Sequence, residues 1–106
     1  MTRKQYTAER VRSDVDRVFE ALGELRAAYR TRAFGEDISD LDIARREDAL
    51  ERAAAPTPQP VVDAARDYLR VGQGYASGDP DTGDAAERAA YETLTAALVA
   101  ERKAYS

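Results

Sequence analysis

Val11, Val15, Val18, Leu22, Leu25 and Tyr29 follow one another at alternating spacings of four and three, and a helix gathers residues so spaced onto a single stripe. No other segment repeats so regularly. Phe19 widens the stripe on one side while Ala21 and Ala28 flatten the other, so the face is broader than the seam of a two-stranded coiled coil and needs partners on more than one side. A chain of 106 residues can supply them within one domain, burying about two thirds of its unfolded surface. The expected architecture is a single all-α domain over residues 1–106, a small up-down bundle of about four helices. The first and last helices are long and the middle two shorter.

Thr7 is placed to cap the first helix and Gly35 to end it, giving a helix over 7–33 of roughly 40 Å at 1.5 Å per residue. The second, over 40–55, starts behind Ser39 as cap, with Asp40 and Asp42 where the helix dipole is positive and Ile38 positioned as a staple. Its apolar face is thin: Ile43, Leu50 and Ala54 on one line, with Leu41, Ala49 and Ala53 nearby. Arg45, Arg46, Glu47 and Asp48 read as a solvated surface of mixed charge. Pro56, Pro58 and Pro60 end that helix and stiffen the connector, and Pro60 then opens a third helix over 60–73. Val61, Val62, Ala65, Tyr68 and Leu69 form its apolar face, with Gly72 on the same side, and Gly72 and Gly74 are expected to fray its end, the alternative being close approach of another backbone. The fourth helix, over 84–104, opens with a capping box in which Asp84 caps and Glu87 reaches back. Tyr91, Leu94, Leu98 and Tyr105 share its apolar face. No stretch alternates as a strand would.

The chain has no Cys and no His. Thiol nucleophiles, disulfides, zinc sites, haem ligation by His, His general bases and the Glu-x-x-His di-iron pattern are therefore excluded, as is a pH switch centred on His. The alternating acids of Asp79-Pro80-Asp81-Thr82-Gly83-Asp84 suggest a calcium loop, but the position that must supply a bidentate Glu is Ala90. A turn is the better reading. No carboxyl sits in an apolar run that would raise its pKa, so neither catalytic residues nor a cofactor or metal is expected. Met1 is followed by Thr2, Arg3, Lys4 and Gln5 without an apolar run, so neither a signal peptide nor a membrane span is expected. The chain should work in the cytoplasm, or within an assembly made there. Lysine is confined to Lys4 and Lys103 among many arginines and alanines, which points to a GC-rich coding genome.

Gly72, Tyr75, Gly78 and Asp79, followed by an Ala-rich helix, resemble the middle of a tetratricopeptide repeat, a helical hairpin used in protein binding. The spacing beyond Asp79 carries an insertion and no second copy lies upstream, whereas stacked repeats need about three. The Trp-x-Gly turn of small secreted helical hairpins is absent, since the turn reads Phe34-Gly35-Glu36. A helix-turn-helix DNA-binding regulator is the alternative. Against it, Asp63 and Asp67 dilute Arg66 and Arg70 beyond the Pro-rich connector, and the net charge is −4, so phosphate would be met only by the basic N-terminal end. Nucleic acid is not the expected partner.

In up-down order the first and third turns share one end, which gathers Glu36, Asp37, Asp40 and Asp42 with Asp79, Asp81 and Asp84. The opposite end holds Arg3, Lys4, Arg10 and Arg12, with Arg102 and Lys103. Acids at helix starts and bases at helix ends complement the helix dipole. The first helix breaks this rule, setting Arg3, Lys4, Arg10 and Arg12 against Glu9 alone, at a few tenths to about one kcal/mol per nearby charge. The expected function is a small helical protein–protein interaction or assembly module without catalytic activity, a bacterial or phage structural or adaptor protein. Its candidate partner-binding residues are Arg3, Lys4, Arg10, Arg12, Glu36, Asp37, Asp40 and Asp42. They would meet another protein, or the next copy of the chain head to tail.

Overall fold

A computed structural model describes residues 8–104. Helices α1 (Ala8–Ala33), α2 (Asp40–Ala54), α3 (Gln59–Ser77) and α4 (Asp84–Ala104) form an up-down bundle, with no strand among the described residues. α1 and α3 form the central pair. α2 and α4 flank it on opposite sides and make no contact with each other among the described residues. The six stripe residues of α1, Val11, Val15, Val18, Leu22, Leu25 and Tyr29, are each at most 1% exposed. At 26 residues, or about 39 Å, α1 outruns the 15 residues of α2. α4 runs antiparallel along it, bringing Arg102 to Asp16 at one level and Glu87 to Arg26 at another.

The Ser39 hydroxyl caps α2, accepting from the Asp42 N–H at 3.0 Å. Behind the cap Ile43, Leu50 and Ala54 are buried as the spacing predicts, and Ile38 packs against the core. Leu41 does not join them. It is 59% exposed, because two residues before Ile43 on a helix points nearly to the opposite side.

α3 begins at Gln59, one residue before Pro60, and runs to Ser77 instead of fraying after residue 73. The glycines do not stop it. Gly72 is buried beneath the Tyr29 ring, where a Cβ would fall 2.3 Å from Cε2. Gly74 lies as closely against the Thr82 side chain. Packing across the bundle thus outweighs the weak helix propensity of glycine, and the stop is Gly78, whose φ of 79° gives the left-handed cap. The α3–α4 loop closes as a turn, the Asp79 carboxylate accepting from the Asp81 N–H at 2.9 Å.

The capping box expected at α4 is not formed. Asp84 is already helical and Gly83 precedes it, its carbonyl accepting from the Glu87 N–H. The Glu87 side chain turns inward and is 1% exposed. Leu94 and Leu98 are buried and Tyr91 packs against the core. Thr7 and Tyr105 lie outside the described residues.

Candidate interaction surfaces

Two polar clusters tie the central helices to their flankers. On one side Glu87 of α4 accepts from Arg26 of α1, Nε to Oε2 at 2.9 Å and Nη2 to Oε1 at 3.2 Å, and from the Tyr68 hydroxyl of α3 at 2.8 Å. The Arg26 guanidinium also lies 3.8 Å from the centroid of the Tyr91 ring. On the other side Glu47 of α2 accepts on Oε2 from the Tyr29 hydroxyl of α1 at 2.7 Å and from Gln73 of α3 at 3.1 Å. The Arg26 pKa is raised, chiefly by the Glu87 hydrogen bond. Those of Tyr29 and Tyr68 are raised strongly, first by burial and then by the carboxylates they face. The Tyr75 pKa is raised by burial and by nearby Asp84, although its hydroxyl completes no hydrogen bond of ordinary geometry. The Glu87 carboxylate, 1% exposed, joins α1, α3 and α4, and the Arg26 side chain that reaches it stays 22% exposed.

The acidic residues assemble at one end of the bundle. Glu36, Asp37, Asp40 and Asp42 are exposed around the α1–α2 turn, and Asp79, Asp81 and Asp84 are exposed around the α3–α4 turn. Among the described residues only one of the first group has an ion-pair partner: Asp40 takes Arg32 at 2.6 Å, yet its side chain stays 93% exposed. Phe34 and Leu41, 66% and 59% exposed, flank the same α1–α2 turn. At the opposite end Arg10 and Arg12 are exposed near the start of α1. Arg102 is held by Asp16 and stands over the Phe19 ring at 5.4 Å. Arg3 and Lys4 lie outside the described residues.

Sequence reasoning missed two features. Glu47 is half-buried and bonded, not part of a solvated surface; its spacing of four from Ile43 and three from Leu50 was the available signal. The second is a groove between α2 and α3. One depression of 340 Å³ lies where Glu47 faces Gln73, and another of 370 Å³ where Glu51 faces Leu69. Their nearest lining residues, Glu47 and Glu51 on α2 and Leu69 and Gln73 on α3, are one helical turn apart.

The fold and surface define a small all-α bundle with exposed acidic turns at one end. No helix among the described residues is long and apolar enough to cross a membrane, and none of their acidic side chains cluster in threes as a metal site requires. No protein family, curated protein or solved structure matches the chain.

Proposed function

We propose that this chain is a small protein–protein interaction or assembly module without catalytic activity, whose copies join head to tail. The observation that carries the reading is the acidic end. There Phe34 and Leu41 stand as the two most exposed large hydrophobic side chains among the described residues, flanked by Glu36, Asp37, Asp40 and Asp42. Apolar side chains within a charged surround are the composition of an interface core and its rim. The complementary surface is the basic end, where Arg10 and Arg12 stand at the start of α1 against its dipole and Arg3 and Lys4 precede them in the sequence, so that a local rule is broken. Unlike charges at opposite ends of one molecule make a heterologous contact, which propagates as an open chain. Such behaviour suits a structural or adaptor protein of a bacterium or phage, working in the cytoplasm or within an assembly made there.

Light scattering across protein and salt concentration tests this. Wild-type mass should rise with concentration at low salt and fall as salt screens the ends. A variant with Arg3, Lys4, Arg10 and Arg12 all changed to Gln should stay monomeric, and so should Phe34→Ser with Leu41→Ser. If wild type and both variants are equally monomeric at every salt concentration, the head-to-tail reading is wrong.

A further inference from the structure

The α2–α3 groove is a second surface, on the side of the bundle and distinct from the end contact. It exists because the apolar face of α2 is thin. Three buried side chains dock α2 mainly on α1, and its edge toward α3 is left open. Ile43 and Leu69, 7% and 8% exposed, lie low in the groove, with half-buried Val62 and Ala76 beside them.

The rims have opposite characters. On α2, Asp40, Glu47 and Glu51 follow at spacings of seven and four, which sets three carboxylates along one edge. Neither Glu47 nor Glu51 has a cationic partner among the described residues. The donors on Glu47 are neutral and both fall on Oε2, so its charge is uncompensated and Oε1 is unclaimed. On α3, Gln59, Arg66 and Gln73 repeat every seven residues along the facing edge.

We infer that this groove receives an amphipathic helix of a partner protein, its apolar stripe over Ile43 and Leu69 and a row of Lys or Arg along the flank that meets α2. Helix-in-groove recognition seats the apolar stripe of one helix between two supporting helices, and Ile43, Val62, Leu69 and Ala76 supply apolar lining along the two depressions. The 15 residues of α2 set the length of the occupant at about four turns. Charge sets its orientation, because the basic flank must face Glu47 and Glu51 while Arg66 on the other rim repels it.

The test is selection from a displayed library of amphipathic helices of about fifteen residues, carrying a fixed Leu/Ala stripe and flanks randomised among Lys, Arg, Glu, Gln and Ser. The target is the full chain, and enriched helices are located on it by amide chemical-shift mapping. Enriched helices should carry Lys or Arg along one flank and shift the amides around Glu47, Glu51, Leu69 and Gln73. Glu51→Lys, at an exposed residue whose side chain has no hydrogen bond or ion pair among the described residues, should weaken them about tenfold, and changing their basic flank to Glu should restore binding. The Phe34→Ser, Leu41→Ser variant should bind them as wild type does, which separates the groove from the end contact. Enrichment without a basic flank, binders that map outside the groove, loss of binding in the Phe34/Leu41 variant, or no enriched helix would each overturn the inference.

Discussion

Gly23→Ala and Gly72→Ala make the same chemical change in two helix interiors, and they should move stability in opposite directions. Glycine inside a helix costs about 1 kcal/mol relative to alanine. At Gly23 an added Cβ meets nothing within 4 Å, so the substitution should stabilise by about 0.5–1 kcal/mol. At Gly72 the same atom would fall 2.3 Å from Cε2 of Tyr29, 2.7 Å from Cδ2 and 3.2 Å from Cζ. The Tyr29 ring cannot swing aside freely. It is fully buried, lies beside the Tyr68 ring at 6.0 Å between centroids, and holds Glu47 through a 2.7 Å hydrogen bond. Overpacking of this kind costs about 1–3 kcal/mol, and losing the hydrogen bond adds about 1 kcal/mol. After the propensity gain, Gly72→Ala should lose about 1–3 kcal/mol net. Urea midpoints read at constant m separate the two outcomes. If Gly72→Ala stabilises as much as Gly23→Ala, the Tyr29 ring does not lie over Gly72 and the packing of α1 on α3 described above is wrong.

Leu22→Ala, at the middle of the α1 stripe and 1% exposed, should cost about 2–5 kcal/mol in urea melts, and a loss below about half a kcal/mol would place the stripe outside the core. Glu87→Ala leaves the Arg26 guanidinium and the Tyr68 hydroxyl without their carboxylate and should cost about 2–4 kcal/mol, with Glu87→Gln milder because an amide oxygen still accepts from Tyr68. High pH should unfold the protein. Tyr29 and Tyr68 have folded pKa values raised above the ordinary value of 10.0, so above about pH 10 the unfolded chain releases protons the folded chain retains, and stability falls with rising pH. Tyrosinate absorbance from these two residues should appear together with the loss of helical circular dichroism; ionisation of all six tyrosines with the helices intact would contradict their burial.

The α1 stripe was legible because it needs nothing but periodicity, and Val11 through Tyr29 are buried as the spacing requires. The end of α3 was misread for a reason that no local rule contains. Gly72 and Gly74 are weak helix formers, and only the Tyr29 ring and the Thr82 side chain, both from other elements, explain why small residues belong there. Glu87 fitted a capping box by its distance from Asp84, yet it also continues the series of Tyr91, Leu94 and Leu98 at spacings of four, three and four. The second pattern prevailed because Arg26 lies across from it on α1. The acidic end followed from up-down order alone. The α2–α3 groove did not, since it depends on how far α2 leans toward α1, and the sequence showed only its cause, the thin face of Ile43, Leu50 and Ala54.

Zero-length carbodiimide coupling tests the head-to-tail reading most directly, because Lys4 and Lys103 are the only lysines in the chain. Lys103 lies in the last turn of α4, at the end of the bundle opposite the α1–α2 turn, and the 21 residues of α4 separate the two ends by about 30 Å. A bond from Lys103 to Glu36, Asp37, Asp40 or Asp42 therefore cannot form within one molecule. An equal mixture of isotope-labelled and unlabelled protein, coupled at low salt, should yield peptides joining Lys4 or Lys103 of one population to the Glu36–Asp42 segment of the other, and these should vanish at high salt. Coupled products without such peptides, or no intermolecular product at any protein concentration, would contradict the account.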